Sequence, residues 1–257
     1  MESIAEKPIA GVLFIHGLGE HIERFNDMFN EFRSNDISVL GFDLRGHGRS
    51  ESKDGSKMYG HLAQPSKSIR DSIQSDVSFF MDLLSKHVVD VPYFLMGHSL
   101  GGEIASYYVL DSPGFNHHTE LIAPNIEPGV PVPIFKKVFG SLTSRDEASV
   151  ERYRQDPLIH PYVTLMSVAK FGLDGGQELI TLAKSFKAKS LLVTHGTDDK
   201  ITSPSASKMF YDGCSEIEDK EYKSFPGYYH ELHFDLGKEE VIAFYINWIK
   251  KHASING

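Results

Sequence analysis

The chain has 257 residues, 40% of them hydrophobic and 24% charged, enough for one α/β domain with a sizeable core and an insertion. A formal net charge of −9 without a long basic run argues against nonspecific nucleic-acid binding, while leaving open a membrane surface reached through apolar contact. The single cysteine, Cys214, excludes an intramolecular disulfide framework and a thiolate metal cluster.

Met1 to Pro8 is short and polar, without the apolar core of a signal peptide, and no run approaches transmembrane length, so a soluble cytoplasmic protein is the expectation. Ile9 to Ile15 is a continuous apolar run, as in a strand buried on both faces, and it ends in the loop His16-Gly17-Leu18-Gly19-Glu20-His21. Phe25, Met28, Phe29 and Phe32 recur at helical spacing up to Ser34-Asn35-Asp36. Ile37 to Phe42 reads as the next strand, and Asp43 to Ser50 as a loop continuing into the polar stretch from Glu51 to Pro65. One stripe of a long helix carries Ile69, Ile73, Val77, Phe80, Met81 and Leu84.

Tyr93 to Met96 is a further buried strand, Gly97-His98-Ser99-Leu100-Gly101 a sharp turn, and Glu103 to Leu110 a helix. Leu121 to Ala123 is a short strand, preceded by His117-His118 in what reads as a solvated loop. The alternation then breaks. Pro124, Pro128, Pro131 and Pro133 crowd a stretch that also holds Val130, Ile134, Phe135 and Leu142, and Val150 to Phe171 looks mostly helical. We read 125–172 as a cap inserted between two parts of the core, 1–124 and 173–257, with some of its apolar residues lining a greasy pocket and mouth. The plainer alternative is a surface excursion that only packs down on the domain. Beyond it, Glu178 to Phe186 is helical, Ser190 to Thr194 a strand, and Ser203-Pro204 a helix start with serine as cap. Lys220 to Phe225 alternates like an edge strand, Pro226 to His230 is a loop, and Val241, Phe244, Tyr245, Trp248 and Ile249 mark a closing helix. Apolar strands alternating with helices predict an α/β fold, a mostly parallel sheet with helices on both faces, whose ligands bind at the carboxyl ends of the strands.

The turn at Ser99 fits the G-x-S-x-G nucleophile elbow, strand before and helix after. A serine hydroxyl needs a base, and the base needs a partner that fixes its tautomer. In this fold class they follow in the order serine, acid, histidine. His230 is the first base candidate and His233 the second; the acid is one of the neighbours Asp198 and Asp199. The backbone N–H groups of Leu100 and Leu18 are the candidate donors to an oxyanion. His98 reads as a residue that packs or hydrogen-bonds locally, and His16 and His47 as residues that hold loop geometry. No pattern of metal ligands and no phosphate loop stands out, so neither a metal nor another cofactor is expected.

Together these segments resemble the monoacylglycerol lipase family of the α/β-hydrolase superfamily. His16 to His21 is similar to its H-G-x-G-E-H loop, Asp43 to Ser50 to D-x-x-G-H-G-x-S, Gly97 to Gly102 to G-H-S-[ML]-G-G, and Asp156-Pro157-Leu158 to the cap motif D-P-L. His195 to Asp199 fits H-G-x-x-D, and Gly227 to His233 fits G-x-x-H-x-x-H. The resemblance implies Ser99, Asp199 and His230 as a catalytic triad, Leu18 and Leu100 as oxyanion donors, and Glu20, Arg24 and His233 around a glycerol head group. It implies a serine hydrolase that cleaves monoacylglycerol or a related lipid ester, its acyl chain under the cap. Glu20 and Arg24 also read as a structural ion pair. A lysophospholipase or general carboxylesterase is the near alternative, and a non-catalytic ligand-binding protein the remote one. Peripheral contact with membranes or lipid droplets is expected through the apolar cap segment Val130 to Leu142. The family's two additional leading strands have no counterpart before Ile9: either the edge hairpin is missing or the chain is shortened at its start, and the sheet is expected to begin at a different edge strand.

Overall fold

The computed structural model describes residues 1–50, 60–63, 67–112, 114–124, 136–160 and 175–254. The strands are β1 (Glu2–Ser3), β2 (Ala10–Ile15), β3 (Ile37–Phe42), β4 (Tyr93–His98), β5 (His118–Ile122), β6 (Ser190–Gly196) and β7 (Lys220–Phe225). They form one sheet in the order β1-β3-β2-β4-β5-β6-β7, all parallel except β1, which runs antiparallel to β3. The expected α/β architecture is borne out. The edge strand is a correction to the leading stretch: polar as it is, it pairs Glu2 with Leu40 and Ser3 with Val39.

Among the described residues the helices are α1 (Asn26–Ser34), α2 (Ile69–His87), α3 (Leu100–Asp111), α4 (Lys136–Thr143), α5 (Glu147–Gln155), α6 (Gly175–Leu182), α7 (Pro204–Gly213) and α8 (Lys238–Ser254). Every residue of β2 and β3 is buried, which is why β2 reads as an unbroken apolar run and β3 as one broken only by Ser38. Alternate residues feed two cores. Leu13, Ile15, Leu95, Leu121 and Val193 meet the stripe Ile73, Val77, Met81 and Leu84 of α2 and the apolar residues of α3, α6 and α7. Val12, Phe14, Phe94, Met96 and Leu192 meet Met28, Phe29 and Phe32 of α1 and Val241, Tyr245, Trp248 and Ile249 of α8. Each such side chain contributes roughly 1.5–3 kcal/mol on burial.

β5 begins earlier than Leu121, and the solvated loop expected at His117-His118 is in part a strand. β4 and β6 flank β5 and extend its ladder down to His118, paired with Phe94 and Ser190. The His118 ring stacks on Phe94 at 4.5 Å and its Nδ1 lies 2.7 Å from the Ser190 hydroxyl. Cys214, at the end of α7, is buried, and burial pushes its thiol up to about 12. Among the described residues no helix is long and apolar enough to cross a membrane.

Of the expected cap, α4 and α5 pack on each other, and residues 156–160 run back onto the core. There the His160 N–H donates to the Gly19 carbonyl (3.0 Å), its Nε2 meets the Gly46 carbonyl (2.9 Å), and Asp156 holds His21 Nε2 at 2.8 Å. The rest of the cap, including Ile134, Phe135 and the helix expected towards Phe171, lies outside the described residues.

Candidate active site

β4 delivers Ser99 at its carboxyl end. The residue takes φ +54°, a left-handed conformation that costs a non-glycine residue on the order of 1–3 kcal/mol. Neighbouring glycines make the turn possible. A Cβ on Gly97 would stand 2.3 Å from the Gly101 carbonyl oxygen, and one on Gly101 would stand 2.1 Å from that of Ile15. The Ser99 N–H is tied to Ile122 O at 3.0 Å, and α3 starts at the next residue.

The loop after β2 lies beside the elbow, with a Cβ position on Gly17 only 3.1 Å from Ser99 Cβ. His16 fixes that loop. Its Nε2 accepts the Leu44 N–H (2.9 Å), so Nδ1 carries the proton and donates to the Gly17 carbonyl (2.7 Å). The N–H groups of Leu18 and Leu100, the expected oxyanion donors, have no acceptor among the described residues. His47 donates through Nδ1 to the Arg45 carbonyl, and burial lowers its pKa to about 3, so its ring is neutral.

β6 ends at Gly196 and Asp199 follows, its side chain buried. His230 Nδ1 lies 2.7 Å from Asp199 Oδ2. The same oxygen takes His195 Nε2 at 2.9 Å and the Thr202 hydroxyl at 2.8 Å, while Oδ1 takes the N–H groups of Ile201 (2.7 Å) and Thr202 (3.1 Å). Burial alone would raise the Asp199 pKa, but the His230 charge and these donors hold it well below the usual carboxylate range. Burial likewise opposes a charged His230, yet the Asp199 carboxylate outweighs it and raises the imidazole above its ordinary value. The neighbour Asp198 is exposed and, among the described residues, its side chain accepts only the Thr197 hydroxyl (2.9 Å).

Glu20, Arg24 and His233 are all drawn to this end of the sheet, Glu20 and His233 buried and Arg24 half-buried with its side chain turned inward. Glu20 Oε1 accepts the Gly17 N–H (2.6 Å) and His98 Nδ1–H (3.0 Å), and its other oxygen is bound by Arg24. Burial works against the Glu20 charge, but Arg24 and His98 hold its pKa well down. Arg24 is committed further, in a fork to Glu231 at 2.7 and 2.9 Å. His233 packs against Phe25 and His98, and neither ring nitrogen has a hydrogen-bond partner among the described residues. Burial pushes its pKa well below that of a free imidazole, so it is neutral.

Sequence reasoning assigned no role to His195, Thr202 or Glu231. The H-G-x-x-D segment contains the first and is followed three residues later by the second. Glu231 carries no signal beyond standing next to His230. No cluster of side chains suited to a metal ion occurs among the described residues.

A strained serine after a parallel strand, a histidine and a buried aspartate on later loops, and two unpaired N–H groups are the parts of a serine hydrolase. Comparison with known proteins agrees: the model of the serine aminopeptidase S33 family matches residues 6–237. The chain belongs to that family of α/β-hydrolases. Its relatives include an abhydrolase domain-containing protein of Dictyostelium discoideum, 37% identical over 266 residues, which are 95% of this chain but 27% of that one. The chain therefore spans about a quarter of that relative's length. A Schizosaccharomyces pombe protein provisionally assigned as a monoglyceride lipase is 32% identical over 274 residues, 97% of this chain and 70% of that one. A soluble variant of the Saccharomyces cerevisiae monoglyceride lipase, solved with a substrate analog, superposes with a TM-score of 0.82 at 22% identity, covering 98% of this chain and 91% of that one; that likeness carries the fold alone. The resemblance to monoacylglycerol lipases read from the motifs is borne out at the level of the family.

Proposed function

We propose that the chain hydrolyses the ester bond of monoacylglycerols, giving glycerol and a fatty acid, with Ser99 as nucleophile, His230 as base and Asp199 as its partner. His230 takes the Ser99 proton as the hydroxyl oxygen attacks the ester carbonyl. The N–H groups of Leu18 and Leu100 stabilise the oxyanion, a pair of donors each worth about 10²–10³ in rate. Collapse of the tetrahedral species releases glycerol, which takes the proton from His230. Water then repeats the sequence on the acyl-Ser99 ester and frees the fatty acid. The observation that carries this reading is the 2.7 Å contact between His230 Nδ1 and a buried, ionised Asp199, which leaves Nε2 as the basic nitrogen.

The head group is assigned to Glu20, Arg24 and His233. His233 has free hydrogen-bonding capacity on both ring nitrogens, and a neutral imidazole suits a neutral polyol. Glu20 retains one lone pair, on Oε2, beyond the bonds it makes to protein. The acyl chain lies under the cap, residues 125–172, whose segment Val130 to Leu142 meets the lipid surface. Replacing Ile134 and Phe135 by serine should then weaken vesicle binding; unchanged binding would remove the lipid contact from the proposal.

The test is fatty-acid release from monooleoylglycerol, dioleoylglycerol, oleoyl lysophosphatidylcholine and a short p-nitrophenyl ester, with Ser99→Ala as control. Preference for monooleoylglycerol, abolished in the variant, is expected. Activity confined to the other esters would retain the serine chemistry and remove the head-group assignment.

A further inference from the structure

A chain of hydrogen-bonded polar side chains joins the residue before Ser99 to the residue after His230. His98 Nδ1–H donates to Glu20, Glu20 is bound by Arg24, and Arg24 grips both oxygens of Glu231. The Arg24 and Glu231 side chains are only 8% and 4% exposed. Two further contacts anchor the ends. Glu20 holds the N–H of Gly17, next to Leu18, and the Glu231 N–H donates to the Thr143 carbonyl of α4 at 2.7 Å. The Arg24 guanidinium lies over the rings of Phe234 and Tyr153, 4.7 and 5.0 Å from their centroids.

Charge balance does not require Glu231. Glu20 already neutralises Arg24, and taking a second carboxylate out of water is unfavourable unless its geometry is used. A two-point fork between guanidinium and carboxylate fixes the orientation of both partners. Here it ties the 226–231 loop to the elbow and to the loop carrying Leu18, three segments with no common strand. We infer that Glu231 is a positioning residue which, through Arg24 and Glu20, sets His230 against Ser99 and the Leu18 N–H. The inference rests on the proposed roles of Ser99 and His230, and not on the choice of substrate.

The experiment measures kcat and KM for Glu231→Gln on monooleoylglycerol and on p-nitrophenyl butyrate, which has no glycerol. It also measures the rate at which a fluorophosphonate labels Ser99, and thermal melting shows that the variant is folded. A displacement of reacting groups by about 1 Å costs on the order of 100-fold in rate. A loss of about 10- to 100-fold is therefore expected in kcat on both esters and in labelling, with KM changed less than about twofold. Glu231→Asp, which keeps the charge but shortens the fork, should lose less in the same pattern, and it carries the test if the glutamine variant does not fold. Rates and labelling within about twofold of the parent in both variants would overturn the inference. So would a loss confined to KM for monooleoylglycerol, which would put Glu231 in head-group recognition. If the parent cleaves the butyrate but not monooleoylglycerol, the substrate class fails and the positioning test still reads. If the parent is never labelled at Ser99, the serine reading fails and takes this inference with it.

Discussion

Asp199 and Glu120 are both buried carboxyl groups, one beyond the end of β6 and one in the middle of the adjoining β5, and their surroundings treat them in opposite ways. Asp199 receives two backbone N–H groups and three side-chain donors and is held ionised. Glu120 stands between Met96 and Leu192 in the ladder, neither oxygen has a hydrogen-bond partner among the described residues, and burial alone raises its pKa well above the usual value. The difference comes from where backbone donors are free. In mid-strand each N–H is used by the neighbouring strand, so a side chain there finds none. At the carboxyl end the strands give way to loops whose N–H groups are unspent, and a carboxylate can keep its charge there.

The same change, carboxyl to amide, should therefore have opposite results at the two sites. Asp199→Asn is expected to lower kcat by about 10⁴, because the amide no longer fixes the His230 tautomer or steadies its charge, with the protein still folded. A stopped rate assay on a short ester beside a melting curve measures both. Next in size is the pH profile. The base must be neutral to act and its pKa is raised, so kcat/KM should rise about tenfold per pH unit on the acid side. It should level only above the ordinary imidazole value, and a break below that value would contradict the Asp199–His230 pairing. His195→Gln, which removes one donor from Asp199 and leaves the rest, should cost about fivefold in kcat, in keeping with about 1 kcal/mol for one hydrogen bond.

The smallest effect is at Glu120. Glu120→Gln should leave kcat within about twofold and raise the melting temperature at pH 8, by roughly 2–4 °C for each kcal/mol gained in a chain of this size. The sign follows from proton linkage. The folded state keeps a proton that the unfolded state gives up, so the parent loses stability as pH rises from the unfolded pKa towards the folded one. The gain should therefore shrink as pH falls towards about 4.3, the unperturbed glutamate value. Asp199 contributes with the opposite slope: its pKa is depressed, and the stability it provides above the unfolded pKa is lost as pH falls through the acid range.

Much of the sheet is legible in the sequence because burial on both faces leaves mostly apolar residues, and the elbow is legible because two glycines sit where any Cβ would strike backbone. β1 is not: a strand that pairs on one edge needs no apolar pattern, and Glu2–Ser3 has none. His118 misleads because a histidine stacked on Phe94 is indistinguishable in sequence from one in solvent. In the site, motif spacing separates Asp199 from Asp198. Glu231 is invisible because its partner, Arg24, lies 207 residues away and only folding brings the two together. The same holds for His98 and Glu20, 78 residues apart.

The buried thiol has a practical consequence. The chain's only cysteine is shielded within α7's end, and its raised pKa leaves almost no thiolate near neutral pH. Maleimides should therefore pass over the folded native chain. One cysteine introduced on α4 or α5 would then accept a spin label or fluorophore alone, and the distance from cap to core could be followed during turnover without first removing Cys214.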